Sequence, residues 1–237
     1  MRLLHSLPAI ALAFASPARA SISATKLFVP SGFTSNDEIV VVVEGYLSSP
    51  CEKLRGAKVE TRGHTFKIVP KSETQGKCEE LKVPYTLEVV LNPDAAIEPD
   101  DDYIVEVAGP AGKVLREPLE VKEPPMEWPE SRMYAPVDDA DVGLLSGGKM
   151  RAVIQGRFQN TCYAIDEFQV STGNGKTFEA VPIIKPLARD PKGKPCKAVE
   201  TPYTAYADFD EPRPGRYLLH VRSQSGTAVN RVFTNVW

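Results

Sequence analysis

The chain is poor in the residues that usually do chemistry. Its 237 residues include three histidines, four cysteines and two tryptophans, and aromatic residues make up 8%. No His-Glu-x-x-His, Gly-x-Ser-x-Gly or phosphate-loop pattern occurs, so the common signatures of zinc hydrolysis, acyl transfer and nucleotide binding are missing. No Cys-x-x-Cys pair occurs either, which leaves the cysteines as disulfide material rather than thiolate metal ligands. No segment repeats apolar residues at i, i+3, i+4 and i+7, so helices are not expected. Beyond the N-terminus no apolar run approaches the roughly 20 residues that a membrane-spanning helix requires.

Excess positive charge is also lacking. The N-terminal stretch MRLLHSLPAIALAFASPARA has an early cation at Arg2, an apolar run to Phe14 and a small-x-small ending at Ala18 and Ala20. It reads as a signal peptide over residues 1–20. Removing it takes away Arg2 and Arg19, leaving 26 basic residues against 31 acidic ones and a formal charge of −5. A general nucleic-acid binder is therefore not expected. All four cysteines follow the leader, in a compartment where disulfides persist, so the expected location is periplasmic or secreted.

What the chain does contain is an internal repeat. CEELKVPYT and CKAVETPYT each place a cysteine six residues before Pro-Tyr-Thr, at Cys78 to Pro84 and Cys196 to Pro202. Gly45 and Gly156 each stand six residues before Cys51 and Cys162. Phe66 with Val69-Pro70 matches Phe178 with Val181-Pro182, and nine residues after Tyr103 and Tyr217 come Gly112 and Gly226. KLFVP at Lys26 corresponds to RMYAP at Arg132. The expected division is 21–123 for the first unit, 124–131 for a proline-rich linker and 132–237 for the second.

Within each unit the apolar period is close to two, as for Ile39, Val41 and Val43, and prolines and glycines punctuate it at strand-and-turn spacing. The first unit predicts strands at 26–30, 39–47, 58–61, 66–70, 85–91, 103–107 and 114–121. The second predicts them near 133 and at 150–158, 168–171, 178–184, 203–209, 217–222 and 228–237. Tyr103 and Tyr217 start late strands after a turn, the place where a sandwich tyrosine bonds back to upstream backbone. The order of glycine, cysteine, Val-Pro, cysteine, Pro-Tyr-Thr and corner tyrosine resembles the two-cysteine immunoglobulin-like modules of exported bacterial proteins. That resemblance implies an all-β fold of two tandem immunoglobulin-like antiparallel β-sandwiches and no shared activity. The repeat itself pairs Cys51 with Cys78 and Cys162 with Cys196, one disulfide per unit.

Candidate sites are few. His64, in TRGHTF, is expected in a hairpin turn, and His220, alternating with Leu219 and Val221, on an outer strand face. Because His64 aligns with Lys176 and His220 with Glu106, neither belongs to a duplicated centre. The acids of EPDDD (Glu98, Asp100, Asp101, Asp102) and of DDAD (Asp138, Asp139, Asp141) read as solvated turns. The DDAD group is the better candidate for calcium, which takes several oxygen ligands in flexible geometry, in a seam between units. Trp128, Tyr46 (matched to Phe158), Tyr163 and Tyr206 are candidates for binding sugar. Trp237 is expected to end the last strand. The function these features suggest is a non-enzymatic protein-interaction or structural module of the bacterial envelope, whose partner is an envelope or extracellular protein. A carbohydrate-binding or adhesive module, rigidified by calcium, is the second reading, and a hydrolase the third.

Overall fold

The structure is a computed structural model and describes residues 22–93, 96–124, 133–145, 149–173, 175–210 and 213–236, with backbone only at 101, 144 and 225. The leader at 1–20, Trp128 with nearly all of the linker, and Trp237 lie outside the described residues.

Among the described residues the fold is all β, interrupted only by two 3-10 turns. The first half runs β1 (Ser23–Phe28), β2 (Phe33–Thr34), β3 (Val40–Leu47), β4 (Glu52–Arg62), β5 (Thr65–Thr74), β6 (Val83–Val90), β7 (Asp100–Ala108) and β8 (Val114–Lys122). The second runs β9 (Met133–Tyr134), β10 (Asp139–Leu144), β11 (Met150–Phe158), β12 (Tyr163–Gly173), β13 (Thr177–Pro186), β14 (Thr201–Phe209), β15 (Gly215–Arg222) and β16 (Ala228–Asn235). Each half has a three-stranded sheet, β1-β3-β6 or β10-β11-β14, and a five-stranded one. The five-stranded sheets are ordered β2-β8-β7-β5-β4 and β12-β13-β15-β16, with β9 paired to β13.

Both sheets of a half feed one core. In the first, Val41 and Val43 of β3 meet Phe66, Ile68, Val105, Val107 and Leu119 from the larger sheet. In the second, Ala152 and Ile154 of β11 meet Phe178, Tyr217, Leu219 and Val221. Alternation along each strand places these residues on one face, where their burial drives folding.

Pairing among the described residues is mostly antiparallel, as expected, with parallel exceptions at β2-β8, β5-β7 and β13-β15. β5 and β7 run parallel, with Lys67 opposite Glu106, and β13 and β15 run parallel, with Glu179 opposite His220. Between each such pair the chain crosses to the other sheet, as β6 or β14, and returns, which is the crossover that parallel neighbours require. Strands with polar, exposed faces are longer than apolar periodicity indicates. β4 begins at Glu52 and β12 at Tyr163 because these outer strands bury only part of one face.

The disulfides join Cys51 to Cys78 and Cys162 to Cys196, with Cα separations of 5.7 and 5.4 Å. Each ties the turn after a central strand, β3 or β11, to the loop that opens β6 or β14. They close loops spanning 27 and 34 residues, each worth about 3 to 4 kcal/mol in the chain-entropy account.

The repeated Pro-Tyr-Thr is a strand opening with a packing role. β6 and β14 are edge strands, where a proline without an N–H is tolerated. Tyr85 stands opposite Gly45, and Tyr203 opposite Gly156. In both halves a Cβ on the glycine would come within 2.8 Å of the tyrosine ring and collide with a neighbouring carbonyl, of Ser23 or Pro136. The glycine makes the bed on which the tyrosine lies. The Tyr203 hydroxyl donates to the Pro136 carbonyl at 2.7 Å, whereas the Tyr85 hydroxyl is buried with no hydrogen-bond partner among the described residues. Burial pushes the Tyr85 phenol up to about 12.

The corner tyrosines bond as their position suggests. Tyr103 donates to the Glu98 carbonyl at 3.1 Å and Tyr217 to the Arg213 carbonyl at 2.7 Å. Gly112 and Gly226 each close a 3-10 turn, Pro110–Gly112 or Gln224–Gly226, in a left-handed conformation at φ +75° and +74°.

Candidate binding surfaces at the seam

β3 is unlike an ordinary half-buried strand, since Val40, Val41, Val42 and Val43 are all buried. Val41 and Val43 face their own core; the opposite face is covered by the second half. There Val42 packs with Phe28 of β1, Leu218 of β15 and Val232 of β16. The outer face of the smaller first sheet thus lies against the outer face of the larger second sheet.

Charged groups flank that apolar contact. Arg222 Nη1 lies 3.1 Å from Asp37 Oδ2, with both side chains about nine-tenths buried. The same guanidinium donates to the Ser31 carbonyl at 2.9 Å and stands 5.3 Å over the Phe33 ring. Glu179, 4% exposed, accepts from the Ser31 amide at 2.5 Å and its hydroxyl at 2.8 Å. Arg216 grips Glu44 with Nε and Nη2, the latter at 2.5 Å. The Glu38 amide donates to the Gly226 carbonyl at 3.1 Å. Lys176 reaches Glu117 at 2.5 Å on the exposed rim.

His220 sits inside this seam: it lies on the outer face of β15, as expected, but that face is covered and the side chain is fully buried. The alternation holds, because Leu219 and Val221 do point into the second core. What covers the other face is Phe33 of the first half, edge-on at 5.6 Å. Nδ1 lies 2.8 Å from Asn230 Oδ1, while Nε2 has no partner among the described residues. Burial, outweighing the Asn230 contact, and then nearby Arg222 push the imidazole down to about 4, so it is neutral at pH 7.

The seam leaves a groove of about 570 Å³ open along one side. Leu27, Phe28, Leu115 and Tyr217 line its apolar part; Lys26, Arg116, Lys176 and Arg216 supply positive charge against Glu117. A smaller groove of about 270 Å³ in the second half is lined by Tyr134, Phe158, Tyr163, Ile184 and the amides of Gln159 and Gln224. It adjoins the seam, since the Tyr134 side chain hydrogen-bonds Arg222.

The remaining candidates are scattered. His64 occupies the β4-β5 hairpin turn, exposed and 3.4 Å from Asp100. Asp100 and Asp102 belong to β7 and Asp139 and Asp141 to β10, so both acidic runs enter strands where turns were expected. Asp138 pairs with Arg157 at 2.8 Å, and Asp139 and Asp141 each lie 3.7 Å from Arg231. Among the described residues no three His, Cys, Asp or Glu side chains gather as a metal site. Tyr46 and Tyr206 are about half exposed, and Tyr206 lies under the Arg151 guanidinium at 5.3 Å. Burial corrects one matched pair: buried Leu47, rather than Tyr46, corresponds to buried Phe158. Counting from Gly45 and Gly156 gives the same correspondence.

No protein-family model, no curated protein and no solved structure matches this chain. Among the described residues no helix is long and apolar enough to cross a membrane.

Proposed function

We propose that the mature chain is an exported, non-enzymatic binding protein, made of two tandem immunoglobulin-like β-sandwiches, that engages a protein partner in the periplasm or outside the cell. The two disulfides and the corner tyrosines support that fold and compartment. The parallel β5-β7 and β13-β15 pairs set it apart from the all-antiparallel sandwich arrangement. Binding rather than catalysis fits the two histidines: His64 is an exposed turn residue and His220 is sealed from any substrate.

The observation that carries the reading is the seam. Burial of Val42, Leu218, Asp37, Arg222 and His220 between the halves fixes their mutual orientation, so groove and loops from both form one preorganised surface. Affinity capture with the mature protein from the cell envelope tests it. The reading expects one envelope protein recovered in stoichiometric amount; recovery of nothing above a reduced and denatured control contradicts it.

The aromatic groove of the second half favours carbohydrate binding as a second reading. The partly exposed Tyr134 and Tyr163, with buried Phe158 behind them, offer aromatic surface beside two glutamines suited to hydroxyl groups. A glycan array decides: saturable sugar binding lost on Tyr163→Ala supports it, and no bound glycan removes it.

A further inference from the structure

The open groove beside the seam joins two features that independently suit one class of ligand. Its positive side chains come from both halves: Lys26 of β1 and Arg116 of β8 from the first, Lys176 and Arg216 from the second. Only Glu117 among the lining residues opposes them, in a chain whose overall formal charge is −3. Arg116 and Arg216 have carboxylate partners outside the lining, Glu106 and Glu44. Among the described residues Lys26 makes no ion pair; burial, with Arg216 and Lys176 nearby, holds its ammonium below the usual lysine range despite Glu44. An incoming carboxylate relieves that repulsion.

The second feature is main chain. β1 is the end strand of its sheet, and β8 is paired on its outer side only at Val121 and Lys122, by β2. Residues 114–119 of β8 therefore have no hydrogen-bonded strand on that side among the described residues, although β1 lies nearby, and 114–117 line the groove with residues of β1. An unpaired strand edge accepts an extended chain, which alternates its side chains between floor and rim.

We infer that this groove is a docking site for an extended acidic segment of a partner protein, which adds to the open β8 edge, seats apolar side chains over Leu27 and Leu115 and places carboxylates against Lys26 and Arg116. The inference rests on the binding-protein reading above and names the partner's chemistry. Carboxylates exchange water for the groove's ammonium and guanidinium groups, so the contact is salt-sensitive.

The test uses the mature chain and a fluorescent, N-acetylated heptapeptide of alternating glutamate and valine, followed by anisotropy at low salt and at about 0.15 M. The expected result is saturable binding that weakens with salt and falls at least tenfold for Lys26→Glu/Arg116→Glu. Lys192→Glu/Lys194→Glu changes formal charge equally in the exposed second disulfide loop and leaves binding within twofold. Lys26→Gln/Arg116→Gln serves if the reversed variant melts early, with a smaller but definite loss expected. Absence of saturable binding, or equal loss from both charge-reversed variants, overturns the site. Tighter, groove-dependent binding of heparin than of the peptide overturns it in favour of an anionic glycan. Envelope capture separates this failure from the broader one: a partner retained by the Lys26→Glu/Arg116→Glu chain sinks the groove alone, whereas a partner absent from both chains sinks the binding-protein reading.

Discussion

β7 and β15 occupy the same place in the two halves, each running parallel to the second strand of a hairpin and each carrying a corner tyrosine near its start. Their outward residues have opposite fates. On β7, Glu106 sits opposite Lys67 and pairs at the surface with Arg116. On β15, His220 sits opposite Glu179, and both are buried beneath the first half. The difference arises because the contact between halves is head-to-tail. The first half presents its smaller sheet and the second its larger one, so each half keeps one unused face. The unused face of the second half is more polar than the outward face of β3: β11, the counterpart of β3, alternates Met150, Ala152 and Ile154 inward with Arg151 and Gln155, and the partly exposed Val153, outward. The two halves share a strand plan, and the one face on each that differs is where they join.

Breaking the seam at its buried ion pair gives the largest effect. Asp37→Ala or Arg222→Ala leaves an uncompensated charge nine-tenths buried and lowers unfolding free energy by about 3 to 5 kcal/mol in denaturant titration. Asp37→Leu combined with Arg222→Met loses less than either single change, because no orphaned charge remains.

Acid separates the halves' behaviour next. Above pH about 6.5 His220 is neutral folded and unfolded and contributes no pH dependence. As pH falls from 6.5 toward 4 only the unfolded chain takes up this proton, so stability declines by about 3 kcal/mol and the contribution levels off below the folded value of about 4. His220→Gln flattens the profile in that window, measured as stability against pH. A variant profile as steep as the parent's contradicts the assignment.

The halves agree at the glycine beneath each strand-opening tyrosine. Gly45→Ala and Gly156→Ala both drive a methyl into a tyrosine ring and a neighbouring carbonyl, at about 1 to 3 kcal/mol each. Similar losses sharpen the view that glycine and tyrosine were duplicated as a packing pair; a loss at only one site breaks it. The smallest effect falls at the counterpart of His220: Glu106→Ala removes an exposed pair and changes stability by less than about 1 kcal/mol.

Much of this was legible in the residues. Both disulfides, the central strands, the corner tyrosines and the histidine turn follow from periodicity, turn chemistry and the repeat. The alternation of His220 was legible too; its burial was not, since period two separates the faces of a strand without saying what covers each. The four valines of β3 carried the missing signal, because a continuous apolar run marks a strand buried on both sides. DDAD misled because aspartate favours turns, yet Ala140 between the acids and Val142 just after them already alternate inward. The parallel pairs were hidden because strand order depends on which sheet each crossover returns to.

The central claim is that the seam makes one rigid body of two halves, and residual dipolar couplings of backbone amides in the mature chain test it most directly. The account predicts that a single alignment tensor fits couplings from both halves and that Asp37→Ala/Arg222→Ala splits it. Two tensors of different magnitude in the unmodified chain contradict the account.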